Sequence, residues 1–178
     1  MKAQTQNTDI EILPLVDRHG FRTTARPEQV WAALAPTLMA SFGKRRSRVF
    51  ARLVGCRERR VSRPFLMEGG DTLVGFRVMA SRAPEELVLR GEHRFSRYAL
   101  VFRIGGREGI TAVSAETRAD FPEARGFVYR TLVVGSGIHA RVIRRILKGL
   151  RGRAEWDRQP SGPRRAAGAG ARRRIDSK

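Results

Sequence analysis

The chain has 178 residues, about one domain's worth, and 41% of them are hydrophobic, enough to bury a single core. No run approaches the roughly 18 consecutive apolar residues of a membrane span. With one cysteine, Cys56, and three scattered histidines (His19, His93, His139), a disulfide scaffold is excluded and a Cys/His zinc site is disfavoured, so no metal and no cofactor is expected. The N-terminal segment lacks the apolar stretch of a secretory signal, and a soluble, cytoplasmic protein is expected.

Thirty-six basic residues face seventeen acidic ones, a formal charge of +19. All the basic residues except Lys2, Lys44, Lys148 and Lys178 are arginine. Such a bias, beside abundant Ala and Gly, also arises from GC-rich codon usage without selection for phosphate binding. Basic clusters stand at Lys44–Arg48, Arg57–Arg63 and Arg141–Arg153. They predict non-specific polyanion binding at low salt, but no helix-turn-helix, zinc-finger or RNP-type aromatic signature accompanies them.

Along the chain, residues 1–18 carry no firm pattern and His19–Ala25 predicts a short strand. Pro27 then opens a helix at the first-turn position, where its missing N–H is harmless. Val30, Trp31, Leu34, Leu38, Met39 and Phe42 form its apolar stripe, Pro36 predicts a kink or restart, and Gly43 a stop. Lys44–Val61 contains a short basic helix with Val49, Phe50, Leu53 and Val54 on one face. Strands are expected at Phe65–Glu68, Thr72–Ser81, Glu86–Gly91, Glu92–Ile104 and Ile110–Ala119, broken at EGGD, APEE, RGE and GGREG. The short breaks require antiparallel neighbours. From about Pro122 to Trp156 a long helix returns, eased near Gly135-Ser-Gly137. Val142, Ile143, Ile146, Leu147, Leu150 and Ala154 line one side of it and arginines the other. Residues 1–158 thus predict a single α+β domain, a curved antiparallel sheet wrapped around a C-terminal helix, with one or two short helices after the first strand. Residues 159–178 predict a basic, disordered tail.

This order, with TARPEQVWAAL at 24–34, ELVLRGEHRFSRYALVFRI at 86–104 and the strand, Pro turn and helix over 111–155, resembles the START-like, polyketide cyclase-like (SRPBCC) helix-grip superfamily, its uncharacterised bacterial members in particular. The resemblance implies an apolar cavity between sheet and last helix. It implies as partner a small hydrophobic molecule such as a lipid, polyketide or aromatic metabolite, with chemistry only in some members.

Among motifs, Gly135-Ser-Gly137-Ile-His-Ala140 fits a relaxed dinucleotide fingerprint, with Glu155 near the place of the acidic ribose partner. A Rossmann unit needs a further parallel strand, and nothing after Trp156 supplies one. A glycine-eased helix start is the simpler reading. Cys56 among Arg57, Arg59 and Arg60 would be activated if those cations were close; an incidental buried thiol is simpler. Arg77 interrupts an apolar strand, and Arg90, Glu92 and Arg94 share a strand face at i, i+2, i+4. The candidate ligand-binding residues are Trp31, Arg77, Arg90, Glu92, Tyr98, Arg118, Tyr129 and His139, because a few polar groups converging on an apolar pocket make a small-molecule site. For Arg90, Glu92 and Arg94 a solvated cross-strand ion set is the plainer alternative. The expected function is binding of a small hydrophobic ligand. The alternatives are a polyanion-binding protein and an enzyme of the cyclase or dehydratase (aromatase) type, with Tyr98 or His139 as acid or base.

Overall fold

The computed structural model describes residues 13–121 and 137–156. The expected tail at 159–178, Tyr129 and the chain between Pro122 and Gly137 lie outside them.

The chain enters through β1 (Leu15–Thr23), longer at its start than the sequence predicts, and turns into α1 (Pro27–Phe42). Gln29 Oε1 accepts the Arg26 N–H at 2.9 Å and closes the first turn. Pro36 does not restart the helix. Thr37 Oγ1 donates to Ala33 O at 2.7 Å and Ser41 Oγ to Thr37 O at 2.8 Å, adding side-chain bonds on both sides of the missing amide. α2 (Arg45–Val54) ends on Gly55, whose φ of +74° is the left-handed conformation that closes many helices.

The strand expected at Phe65–Glu68 is not one. Phe65 and Met67 are buried alternately, but the amides of Leu66 and Glu68 donate to Asp71 Oδ2, not to a neighbouring strand. The Thr72–Ser81 run is interrupted at Val74-Gly75 into β2 (Thr72–Leu73) and β3 (Phe76–Arg82). β4 (Glu86–His93), β5 (Ser96–Arg107) and β6 (Ile110–Asp120) complete the meander. The break expected at Arg90–Glu92 lies inside β4, and the turn is Arg94-Phe95, because His93 pairs with Ser96. Two neighbours fix that turn: Arg94 N–H donates to Val54 O at the end of α2, and Phe95 N–H donates to His93 Nδ1. The six antiparallel strands form one sheet in the order β1-β6-β5-β4-β3-β2.

The sheet curves around α3 (Ile138–Trp156), which packs on α1 and β1. Period-2 alternation sends Leu87 and Leu89 of β4, Leu100, Phe102 and Ile104 of β5, and Val113 and Ala115 of β6 inward. There they meet Val30, Leu34 and Leu38 of α1 and Ile143, Ile146, Leu147 and Leu150 of α3 in the main core. The opposite, outer face has a smaller apolar cluster of Leu13, Val88, Ala99 and Val101.

No helix among the described residues is long and apolar enough to cross a membrane. Gly137, at φ +69°, accepts the Arg141 N–H at its carbonyl and opens α3. Glu155 accepts from Thr23 Oγ1 at 3.0 Å and from Arg151 at 2.8 Å, tying the helix end to β1. The sheet contains no parallel pair among the described residues, so the Gly-Ser-Gly fingerprint has no βαβ unit to serve.

Candidate functional site

The main core does not fill the space between sheet and α3. Toward the start of α3 and the β4–β5 turn lies a cavity of about 700 Å³. Its apolar wall comes from Ala40 and Phe42 of α1, Val74, Phe76, Leu100, and Val142, Ile143 and Ile146 of α3.

Two polar groupings interrupt that wall. The first is centred on Tyr98, which faces inward from β5 directly opposite Gly91 of β4. A Cβ at position 91 would run into the Tyr98 ring and the Gly75 carbonyl, so only glycine admits the ring here. Tyr98 donates its hydroxyl proton to Gly75 O at 2.7 Å, and the Cys56 sulfur lies 3.7 Å from the Tyr98 hydroxyl oxygen. The ring stands edge-on to Phe76 and 5.2 Å from His93. Because His93 Nδ1 accepts the Phe95 amide, Nε2 carries the proton of the neutral ring and donates to Ser96 Oγ at 3.3 Å. Burial lowers the His93 pKa, and the hydrogen bond that raises it is the weaker influence. Cys56 is likewise dominated by burial, which raises its thiol pKa despite Tyr98 and Arg59. It is a buried thiol, not an activated nucleophile.

The second grouping joins α3 to β6 and β1. His139 Nε2 lies 2.8 Å from Thr117 Oγ1 and 3.7 Å from Asp17 Oδ1. Asp17 Oδ2 in turn lies 3.3 Å from His19 Nε2. Burial lowers the His139 pKa, Asp17 opposes this and His19 adds to it. His139 and Thr117 line the cavity, whereas Asp17 and His19 stand behind them. Asp17 Oδ1 and His19 Nε2 are buried without a hydrogen bond among the described residues. No group of His, Cys, Asp or Glu among the described residues is arranged to hold a metal ion.

Of the residues proposed from sequence, Tyr98 and His139 line this cavity. Trp31 is half-buried on α1 and packs against the main core. Arg77 and Arg90 are cross-strand neighbours on the outer face, and Arg77 pairs with Glu58 at 2.8 Å. Glu92, also outward, faces Arg57 at 3.7 Å. Arg118 donates to Leu13 O and approaches Glu116. Tyr129 lies outside the described residues. Strand parity explains the separation. Arg90 and Glu92 do share a face, but Gly91 and His93 hold the inward positions. Sequence reasoning missed His93, Ser96 and Thr117, although the inward parity of Leu87 and Leu89 extends directly to His93.

No family model matches this sequence, and no curated protein matches it. Solved structures resemble it at low identity. A conserved protein from Geobacillus kaustophilus is 14% identical, with a TM-score of 0.48, over 79% of this chain and 95% of that one. A Rhodobacter sphaeroides protein is 20% identical, with a TM-score of 0.47, over 78% and 92%. CalU16 from Micromonospora echinospora is 15% identical, with a TM-score of 0.38, over 78% and 83%. At such identities and scores the likeness fixes neither family nor activity.

Proposed function

We propose that this protein binds a small, mainly apolar molecule in the cavity between the sheet and α3. One observation carries the reading: a space of about 700 Å³ opens within the apolar core, inside the roughly 300–1,000 Å³ range of small-molecule sites. Tyr98, His93, Ser96, Thr117 and His139 give that wall a few hydrogen-bonding points, which orient a ligand. The element order and the motif resemblance support placing the chain with the START-like superfamily. Native mass spectrometry of the freshly purified protein, followed by solvent extraction, tests the binding reading. A discrete bound mass that extraction releases is expected. An apo mass that also fails to retain added 1-dodecanol would overturn it.

A second reading, an enzyme of the cyclase or dehydratase type, is favoured by His139. This imidazole reaches the cavity, is kept neutral by burial and has the Asp17 carboxylate close to Nε2. A neutral imidazole so placed can take a proton from an enolisable carbonyl compound, and the carboxylate stabilises the resulting imidazolium. The test is turnover of an aromatic polyketone, with at least a hundredfold loss of rate expected in His139→Gln, in line with the roughly 10²–10⁴-fold worth of a general base. Turnover unchanged by the substitution removes His139 from that role.

A further inference from the structure

The cavity has a third kind of wall. Where the end of α1, the start of α2 and the cavity-facing side of α3 meet, Lys44, Arg145 and Arg153 line it, together with Ser41 and Ser47. Among the described residues no Asp or Glu lines the cavity at all. On the sheet's outer face, by comparison, Arg18, Arg82 and Arg103 are matched to Glu86 or Glu116. The side chains of Lys44 and Arg145 make no ion pair or hydrogen bond to any described residue. Arg153 reaches from α3 to Thr37 Oγ1 and Gly149 O, both at 3.4 Å, and neither acceptor is charged.

Three cations beside an apolar space, with no counter-charge on the same wall, set up a field that favours an anion at one end of the ligand. The histidines do not alter this sign, because burial holds both His93 and His139 toward the neutral form. Resting on the proposed cavity function, we infer that the ligand is an amphiphile: an apolar body lying against Phe76, Leu100 and Ile146, and an anionic head, carboxylate or phosphate monoester, held by Lys44, Arg145 and Arg153. The cations act through their exposed ends, so they hold the head at the mouth and leave the body to the interior. Affinity for the head group falls with added salt, and affinity for the body does not.

The test compares dodecanoate, dodecyl phosphate and 1-dodecanol by isothermal titration, on the full chain and on a Lys44→Gln/Arg145→Gln variant. Both substituted side chains are exposed and unpaired among the described residues, so the melting temperature should stay unchanged. At low salt, at least one of the two anions is expected to bind the native chain about tenfold more tightly than the alcohol. Which anion gains more separates a carboxylate from a phosphate head. The variant should lose that preference and keep its affinity for the alcohol. Equal binding of all three compounds, or a preference that survives in the variant, would overturn the anionic-head inference and leave the apolar cavity standing. If none of the three binds, the cavity reading fails and this inference fails with it.

Discussion

The two faces of the same strands handle polar groups in opposite ways. On the outer face, Glu86 and Glu116 are buried, and arginines surround both. Glu116 meets Arg18 at 2.7 Å and Arg103 at 2.8 Å, with Arg118 at 3.5 Å, while Glu86 bonds Arg82 and Arg103. Burial alone would raise the Glu116 pKa, but the three guanidinium groups outweigh it and the pKa falls. Arg103 mirrors this: burial pulls its pKa down, and Glu116 and Glu86 carry it up. On the inner face burial prevails, even over the Asp17 carboxylate 3.7 Å from His139. His93 and His139 move toward neutrality and Cys56 stays a thiol. Desolvation acts on both faces; the partner's distance decides the outcome. The outer face therefore holds charge as structure, and the strands' inner face lends the cavity uncharged side chains suited to an apolar guest, while the cavity's cations come from α3 and the start of α2.

The sharpest way to break this contrast is Gly91→Ala. The new methyl meets the Tyr98 ring and a backbone carbonyl that cannot swing aside, so a loss of about 3 kcal/mol is expected by denaturant unfolding. A loss below about 1 kcal/mol would mean that the Tyr98 ring is not held over position 91. Next comes Glu116→Gln, which leaves Arg18 and Arg103 without their shared carboxylate. Those arginines reach solvent, so the expected loss is about 2 kcal/mol, below the roughly 3–5 kcal/mol of a fully buried pair. Dodecanol binding should be unchanged in this variant, which separates the two faces directly.

Tyr98→Phe removes one hydrogen bond to Gly75 O and keeps the ring, for about 1 kcal/mol. The smallest effect is on pH dependence. His93 and His139 have lowered folded pKa values, so the unfolded chain binds protons first as the solution is acidified. Their contribution is complete above the ordinary histidine value of about 6.5 and is lost as pH falls through the lowered folded values. Glu116 adds a second decline at lower pH, beginning near the ordinary glutamate value of about 4.3. Melting temperature measured from pH 8 to pH 3 should fall in both windows. A His93→Gln/His139→Gln variant should flatten the upper one alone.

Much of the architecture is legible in the sequence because the periodicities are clean. Leu87/Leu89 and Leu100/Phe102/Ile104 alternate, and the stripes of α1 and α3 recur at helical spacing. Two errors have a common cause. Gly91 looks like turn chemistry, yet it is an inward strand position whose missing side chain admits Tyr98. The real turn, Arg94-Phe95, carries no turn residues, because contacts from α2 and His93 hold its amides. Likewise Phe65 and Met67 alternate as a strand would, but the carboxylate of Asp71, a few residues on, takes the backbone bonds. Site residues were harder to read. Val88, Ala99 and Val101 make the outer face apolar as well, so hydrophobicity alone does not tell which arginine or tyrosine points inward. Only the cross-strand register settles that Tyr98 faces the cavity and Arg90 does not.

The central claim is that the inner face encloses a site for an apolar guest. Its most direct test is a chemical-shift titration of the isotopically labelled chain with 1-dodecanol. Saturable shifts are expected at Tyr98, His93, Leu100 and Ile146, with the outer-face Val88, Val101 and Glu116 unmoved. Shifts confined to the outer face, or none that saturate, would contradict the account.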